Sequence, residues 1–114
     1  MLKEQYRLKR RSAFTATYRT GLSFHKSGVT MFVGKKNSKD VPTKFGFVVS
    51  KKIHKRAVKR NRIKRLMRES VRLMLKEGNF QNQYMSVIFA ASSKLLGKNF
   101  DYVNKSVREL IAKL

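Results

Sequence analysis

Between two apolar runs, at residues 44–50 and 85–90, lies a longer stretch where apolar residues return every three or four positions and most others are Lys or Arg. Ile63, Leu66, Met67, Ser70, Val71 and Met74 fall on one stripe at about 100° per residue, which predicts a helix over 57–76. The flanking runs are short and rich in aromatic and β-branched residues, so they read as strands, and the second is apolar enough to be central in a sheet. The middle of the chain is therefore strand, helix, strand, and the remaining elements have to pack around that unit.

Upstream, residues 12–21 predict a short helix, with Ser12 capping its first N–H groups and Gly21 supplying the left-handed residue just past its end. Phe14 and Tyr18 are four apart and share a face. Leu22–Lys26 and residues 29–36 read as strands joined by the tight turn Ser27-Gly28, with Val29, Met31 and Val33 on one face and Thr30, Phe32 and Gly34 on the other. Residues 37–42 are a polar turn cluster. At the far end, residues 99–114 repeat the helical pattern through Phe100, Val103, Val107, Leu110 and Leu114, with Asn99 or Asp101 as cap. The order is αβββαβα. No repeat interrupts it, and 114 residues suit a single α+β domain spanning 1–114.

Charge narrows the function. Against 28 Lys and Arg stand only 6 Asp and Glu, a formal net charge of +22. Self-repulsion of that size calls for a polyanion, and nucleic acid leads because phosphate contacts also release condensed counterions. No apolar run approaches the roughly 20 residues that span a bilayer, so no membrane partner is expected. The start, Met1-Leu2-Lys3-Glu4-Gln5-Tyr6, lacks the apolar centre of a signal peptide, so the expected location is cytoplasmic. With no cysteine, disulfides and thiolate metal sites are excluded. His25 and His54 lie far apart and read as ordinary polar residues. The acids Glu4, Asp40, Glu69, Glu77, Asp101 and Glu109 are scattered, so neither a metal site nor catalytic residues are expected in the protein. Gly46 lacks a phosphate-loop context. If the chain serves an enzyme, another component supplies the reactive groups.

Residues 51–72 hold eleven Lys or Arg and a single acid, Glu69. Asn61, Lys64, Arg65, Arg68 and Arg72 cluster away from the apolar stripe. A solvated helix face normally alternates both signs and pairs them one turn apart; here the acids are missing, so like charges weaken the helix until something anionic lies along it. Arg60-Asn61-Arg62 at the helix start can contact phosphate oxygens and 2′-hydroxyls. Charge alone does not separate RNA from DNA. Phe14, Tyr18 and Phe32 can offer a stacking surface to an unpaired strand. Aromatics at helical spacing are nevertheless more often core, and the residues by themselves favour core here.

Lys51-Lys52, followed by Ala57-x-x-Arg60-Asn61-Arg62-Ile63-Lys64-Arg65-Leu66-x-Arg68-Glu69, resembles the signature of the bacterial ribonuclease P protein family. The resemblance extends through Arg7-Leu8-Lys9, Phe14, Tyr18, Gly21, Phe32, Gly46 and Val49-Ser50 and covers about the first three quarters of the chain. It implies a two-layer sandwich with a four-stranded mixed sheet and a left-handed βαβ crossover (ribosomal protein S5 domain 2-like), against the usual right-handed preference. It implies that Lys51, Lys52, Lys55, Arg56, Lys59, Arg60, Asn61, Arg62, Lys64, Arg65 and Arg68 bind a catalytic RNA. Phe14, Tyr18 and Phe32 match the rings of a cleft for the 5′ leader of precursor tRNA, which reverses the preference for core. The implied partners are ribonuclease P RNA, one protein per RNA, and precursor tRNA. Mg²⁺ is held by the RNA and no cofactor by the protein. Two departures stand out. Many members carry Ile-Gly-Asn-Ala where this chain has the longer, more basic Ile53-His54-Lys55-Arg56-Ala57, and many place an Arg just after the fourth strand where this chain has Phe89-Ala90-Ala91-Ser92. The rival readings are a ribosomal or other structural RNA-binding protein and a chromosomal DNA-binding protein.

Overall fold

The computed structural model describes residues 2–37, 41–78 and 80–114. Its elements are α1 (Arg11–Arg19), β1 (Leu22–Lys26), β2 (Val29–Val33), β3 (Lys44–Val48), α2 (Ala57–Glu77), β4 (Ser86–Ala91) and α3 (Phe100–Ile111), in the expected order. Two 3-10 turns, Glu4–Tyr6 and Ser93–Leu95, were not foreseen from the sequence. The four strands lie in the order β1-β2-β4-β3, and only the β3–β4 pair is parallel. β4 is therefore interior, as its apolar composition predicts, and α2 is the connection between the parallel neighbours.

Strand alternation sends Val29, Met31, Val33, Phe45, Val87 and Phe89 to one face, where they meet Ile63, Met67, Val71 and Met74 of α2 and Val103, Val107 and Leu110 of α3 in one core. Each such side chain contributes about 1.5–3 kcal/mol by leaving water. Ser70, buried on the α2 stripe, donates to Asn104 Oδ1 at 2.6 Å and ties α2 to α3. Leu2 also joins this core, which its isolated position in the sequence does not signal.

Several boundaries differ from expectation, each for a local reason. Ser12 is not the cap of α1: the capping position lies two residues earlier than expected, at Arg10, and no side chain caps it. The carbonyl of Arg10 already accepts from Ala13 and Phe14 N–H at 3.0 and 3.1 Å, which places Ser12 inside the first turn. Gly21 does adopt the left-handed conformation, φ 72°. Ser27 and Gly28 both have positive φ, 49° and 88°, as a two-residue hairpin turn requires. β2 ends at Val33 rather than 36, and Lys36 makes only an isolated bridge to Tyr84. β3 ends at Val48, before Val49 and Ser50. Asn99 is the cap of α3, its side-chain oxygen accepting from Tyr102 N–H at 3.0 Å. The polar turn expected at 37–42 includes residues 38–40, which lie outside the described residues, as do Met1 and Asn79.

Candidate nucleic-acid interface

The other face of the sheet carries α1, seated by small and polar groups. Gly46 lets the Phe14 ring lie on β3: a Cβ there would stand 2.6 Å from Phe14 Cε1. The Thr17 and Ser86 hydroxyls are hydrogen-bonded at 2.6 Å, and the Thr20 hydroxyl donates to the Val33 carbonyl. Tyr18 stands edge-on to Phe32, with ring centroids 4.9 Å apart. Tyr18 is 41 % exposed and Phe14 and Phe32 are half-buried, so the three expected rings are not sealed in a core. Partial burial does raise the Tyr18 hydroxyl above its ordinary pKa.

The strand registers align Phe32, Ile88 and Gly46 in one row across the sheet, and Thr30, Ala90 and Val48 in the next row on the same face. This second row is half-buried and continues the surface beside the rings. His25, opposite Thr30 on β1, brings its Nδ1 to 3.0 Å from the Thr30 hydroxyl. Sequence reasoning missed Thr30, Val48 and Ala90. The signal was available, since Thr30 shares parity with Phe32 and Val48 with Gly46.

The cationic run begins where β3 ends. Lys51, Lys52, Lys55, Arg56, Lys59, Asn61 and Arg65 are exposed, and Lys64 is half-buried. Three arginines of the set also serve the fold. Arg60 Nη1 donates to the carbonyls of His54 and Lys55, both at 2.9 Å, and shapes the loop that departs from the family pattern. Arg62 Nη1 donates to the Lys98 carbonyl at 3.1 Å, and the Arg68 guanidinium lies 5.9 Å from the centre of the Phe47 ring. His54 is structural too, its Nδ1 accepting from Arg56 N–H at 3.0 Å. Arg72, expected on the free cationic face, instead grips Glu69 through two nitrogens, and that hydrogen bond holds the Glu69 carboxyl below the ordinary carboxylate range.

Among the described residues the ion pairs are Lys9–Glu4, Lys26–Glu109, Arg72–Glu69 and Arg108–Glu77, so no Lys or Arg of the expected RNA-binding set is neutralised by a described carboxylate. α2 also starts with no side-chain cap and no acid in its first turn. The positive end of its dipole thus coincides with Arg56, Lys59 and Arg60, an unfavourable arrangement that an anion relieves. A ring-lined surface and an uncompensated cationic helix start are a combination suited to binding RNA.

The family model described as Ribonuclease P matches residues 2–114. The chain belongs to the ribonuclease P protein family. It is 40% identical over 108 residues to the ribonuclease P protein component of Clostridium kluyveri, covering 95% of this chain and 93% of that one. It is 38% identical over 109 residues to that of Symbiobacterium thermophilum, covering 96% and 90%. The solved ribonuclease P protein of Staphylococcus aureus has a similar fold, with TM-score 0.79 at 23% identity over 95% of this chain and 94% of that one. The ribonuclease P protein of Thermotoga maritima gives 0.78 at 24% identity over 95% and 96%. As a ribonuclease P protein component the chain is a partner of ribonuclease P RNA and takes part in tRNA processing. No described helix is long and apolar enough to cross a membrane.

Proposed function

We propose that the protein docks on ribonuclease P RNA through the cationic loop and first turns of α2, and receives the 5′ leader of precursor tRNA on the face lined by Phe14, Tyr18 and Phe32. The RNA carries out the phosphodiester hydrolysis, with RNA-held Mg²⁺ activating water and stabilising the leaving oxygen. The protein's contribution is affinity: it holds the leader beside the catalytic RNA and lowers the repulsion between two polyanions, which also strengthens productive Mg²⁺ binding by the RNA. One protein per RNA, acting in the cytoplasm, completes the proposal.

The observation that carries this reading is the exposure of Tyr18 at 41 % beside Phe32 on a sheet face occupied by α1, with Lys51 and Lys52 in the turn that follows β3 after Val49 and Ser50. Stacking on open rings suits unpaired bases, and cations at the strand end suit the backbone leading to them. The test is cleavage of a precursor tRNA by the cognate RNA at low Mg²⁺ with and without the protein. Stimulation that depends on the leader is the expected result, and absence of stimulation would defeat the proposal.

A further inference from the structure

α1 divides the sheet face into two sides. At about 100° per residue, Phe14 and Tyr18 project to one side of the buried, sheet-facing Thr17, while Ser12, Ala16 and Arg19 project to the other. On that second side three hollows adjoin through the shared residues Ala16, Lys35, Leu8, Ala13 and Lys44, and together form a trench along the helix, past Gly34 and Lys35 beyond β2, to Lys44 at the start of β3 and Met85 just before β4. Its floor is apolar, made by Leu8, Ala13, Ala16 and Met85. Its rim is cationic. Arg10, Arg19, Lys35 and Lys44 are exposed and none forms an ion pair with a described residue. The one acid on this rim among the described residues, Glu4, is already paired with Lys9.

We propose that this trench is a second docking surface, occupied by the phosphate backbone of ribonuclease P RNA. The cations extend along α1 for roughly 12 Å, which suits an extended polyanion better than a single anion. Among the described residues no aromatic side chain lines the trench, which therefore suits backbone rather than stacked bases. The leader is not the occupant, because a strand lying on the rings has α1 between it and this trench. The catalytic RNA is the other polyanion that family membership assigns to the protein. The inference rests on the proposed function in taking the ring side for the leader.

The chain has no cysteine, so single substitutions give unique attachment points for an iron–EDTA group. Ala16→Cys places the probe on the trench side of α1, and Lys59→Cys places it on the cationic start of α2. Hydroxyl-radical cleavage is then mapped in the assembled holoenzyme with and without precursor tRNA. The trench proposal expects the Ala16 probe to cut the catalytic RNA at positions separate from those cut from Lys59, whether or not substrate is present. Cuts from Lys59 with none from Ala16, or Ala16 cuts confined to precursor tRNA, would overturn it while leaving the proposed function standing. No cuts from either probe would overturn both. As a second measurement, the double variant Arg19→Gln/Lys35→Gln is expected to lower the salt slope of holoenzyme assembly by about two units, with preference for leader-bearing substrate unchanged. A slope equal to wild type, or a loss of leader preference, counts against the trench.

Discussion

At position 46 a single hydrogen decides whether the Phe14 ring can rest on the sheet. An added Cβ would meet Phe14 Cε1 at 2.6 Å, Cζ at 2.7 Å and Leu8 Cδ2 at 3.3 Å, so Gly46→Ala has to displace the ring. The expected loss is about 1–3 kcal/mol of stability, read from urea denaturation; a wild-type midpoint would mean that the ring has another seat. Tyr18 is the opposite case. It is 41 % exposed, so Tyr18→Ala is expected to cost only about 0.5–1.5 kcal/mol of stability from the lost edge-on contact with Phe32, which leaves the variant folded. Discrimination between leader-bearing and mature tRNA is expected to fall by about 1–3 kcal/mol if a base stacks there. Equal binding preferences for variant and wild type would remove this ring from the leader surface. The spacing of Phe14 and Tyr18 was legible in the sequence, but their setting was not: it depends on Gly46 and Phe32, distant in the chain and adjacent only once the sheet forms.

Among the elements, α2 and α3 were the most legible because their apolar stripes are long: most of each predicted stripe is buried, while Leu66 and Phe100 are half-buried and Leu114 lies beyond α3, which ends at Ile111. Which cations remain available was less legible. Arg72 follows Glu69 by three residues, a spacing that already signals a pair on one helix face, whereas the contact from Arg62 to the Lys98 carbonyl joins segments far apart in sequence. Arg65 is exposed and makes no side-chain hydrogen bond or ion pair with a described residue, so Arg65→Ala should shallow the salt dependence of holoenzyme assembly by about one unit with little loss of stability. An unchanged slope would place Arg65 away from phosphate. The bridge between the ends of the two helices, Arg108 to Glu77, is titratable. Its hydrogen bond holds the Glu77 carboxyl below its ordinary value. A depressed carboxyl stabilises the fold above its unfolded pKa, and that contribution disappears as pH falls through the folded value. Glu77→Gln should therefore flatten the acid side of the stability profile below the ordinary carboxylate range. Acid unfolding profiles that superimpose would show the bridge to be energetically silent.

For the molecule as a whole, the order of elements was readable from periodicity, and the need for a polyanion from the charge of +22. The arrangement of that charge was not. Only the folded sheet sets the cationic start of α2 beyond one end of β3 and the basic trench at the other, with α1 as a ridge along the face between. That ridge is anchored mainly by hydroxyls and by the Phe14 and Tyr18 rings, and Thr17 is its sole buried residue, whereas α2 and α3 each bury several apolar side chains. Stability is thus unevenly distributed, and α1 belongs to its cheaper end. Amide protons of α1 should exchange with deuterium by brief local detachment, well before those of α2 and α3, and bound RNA should slow them first. Uniform exchange across all three helices would mean that the seat of α1 is as firm as the core beneath it.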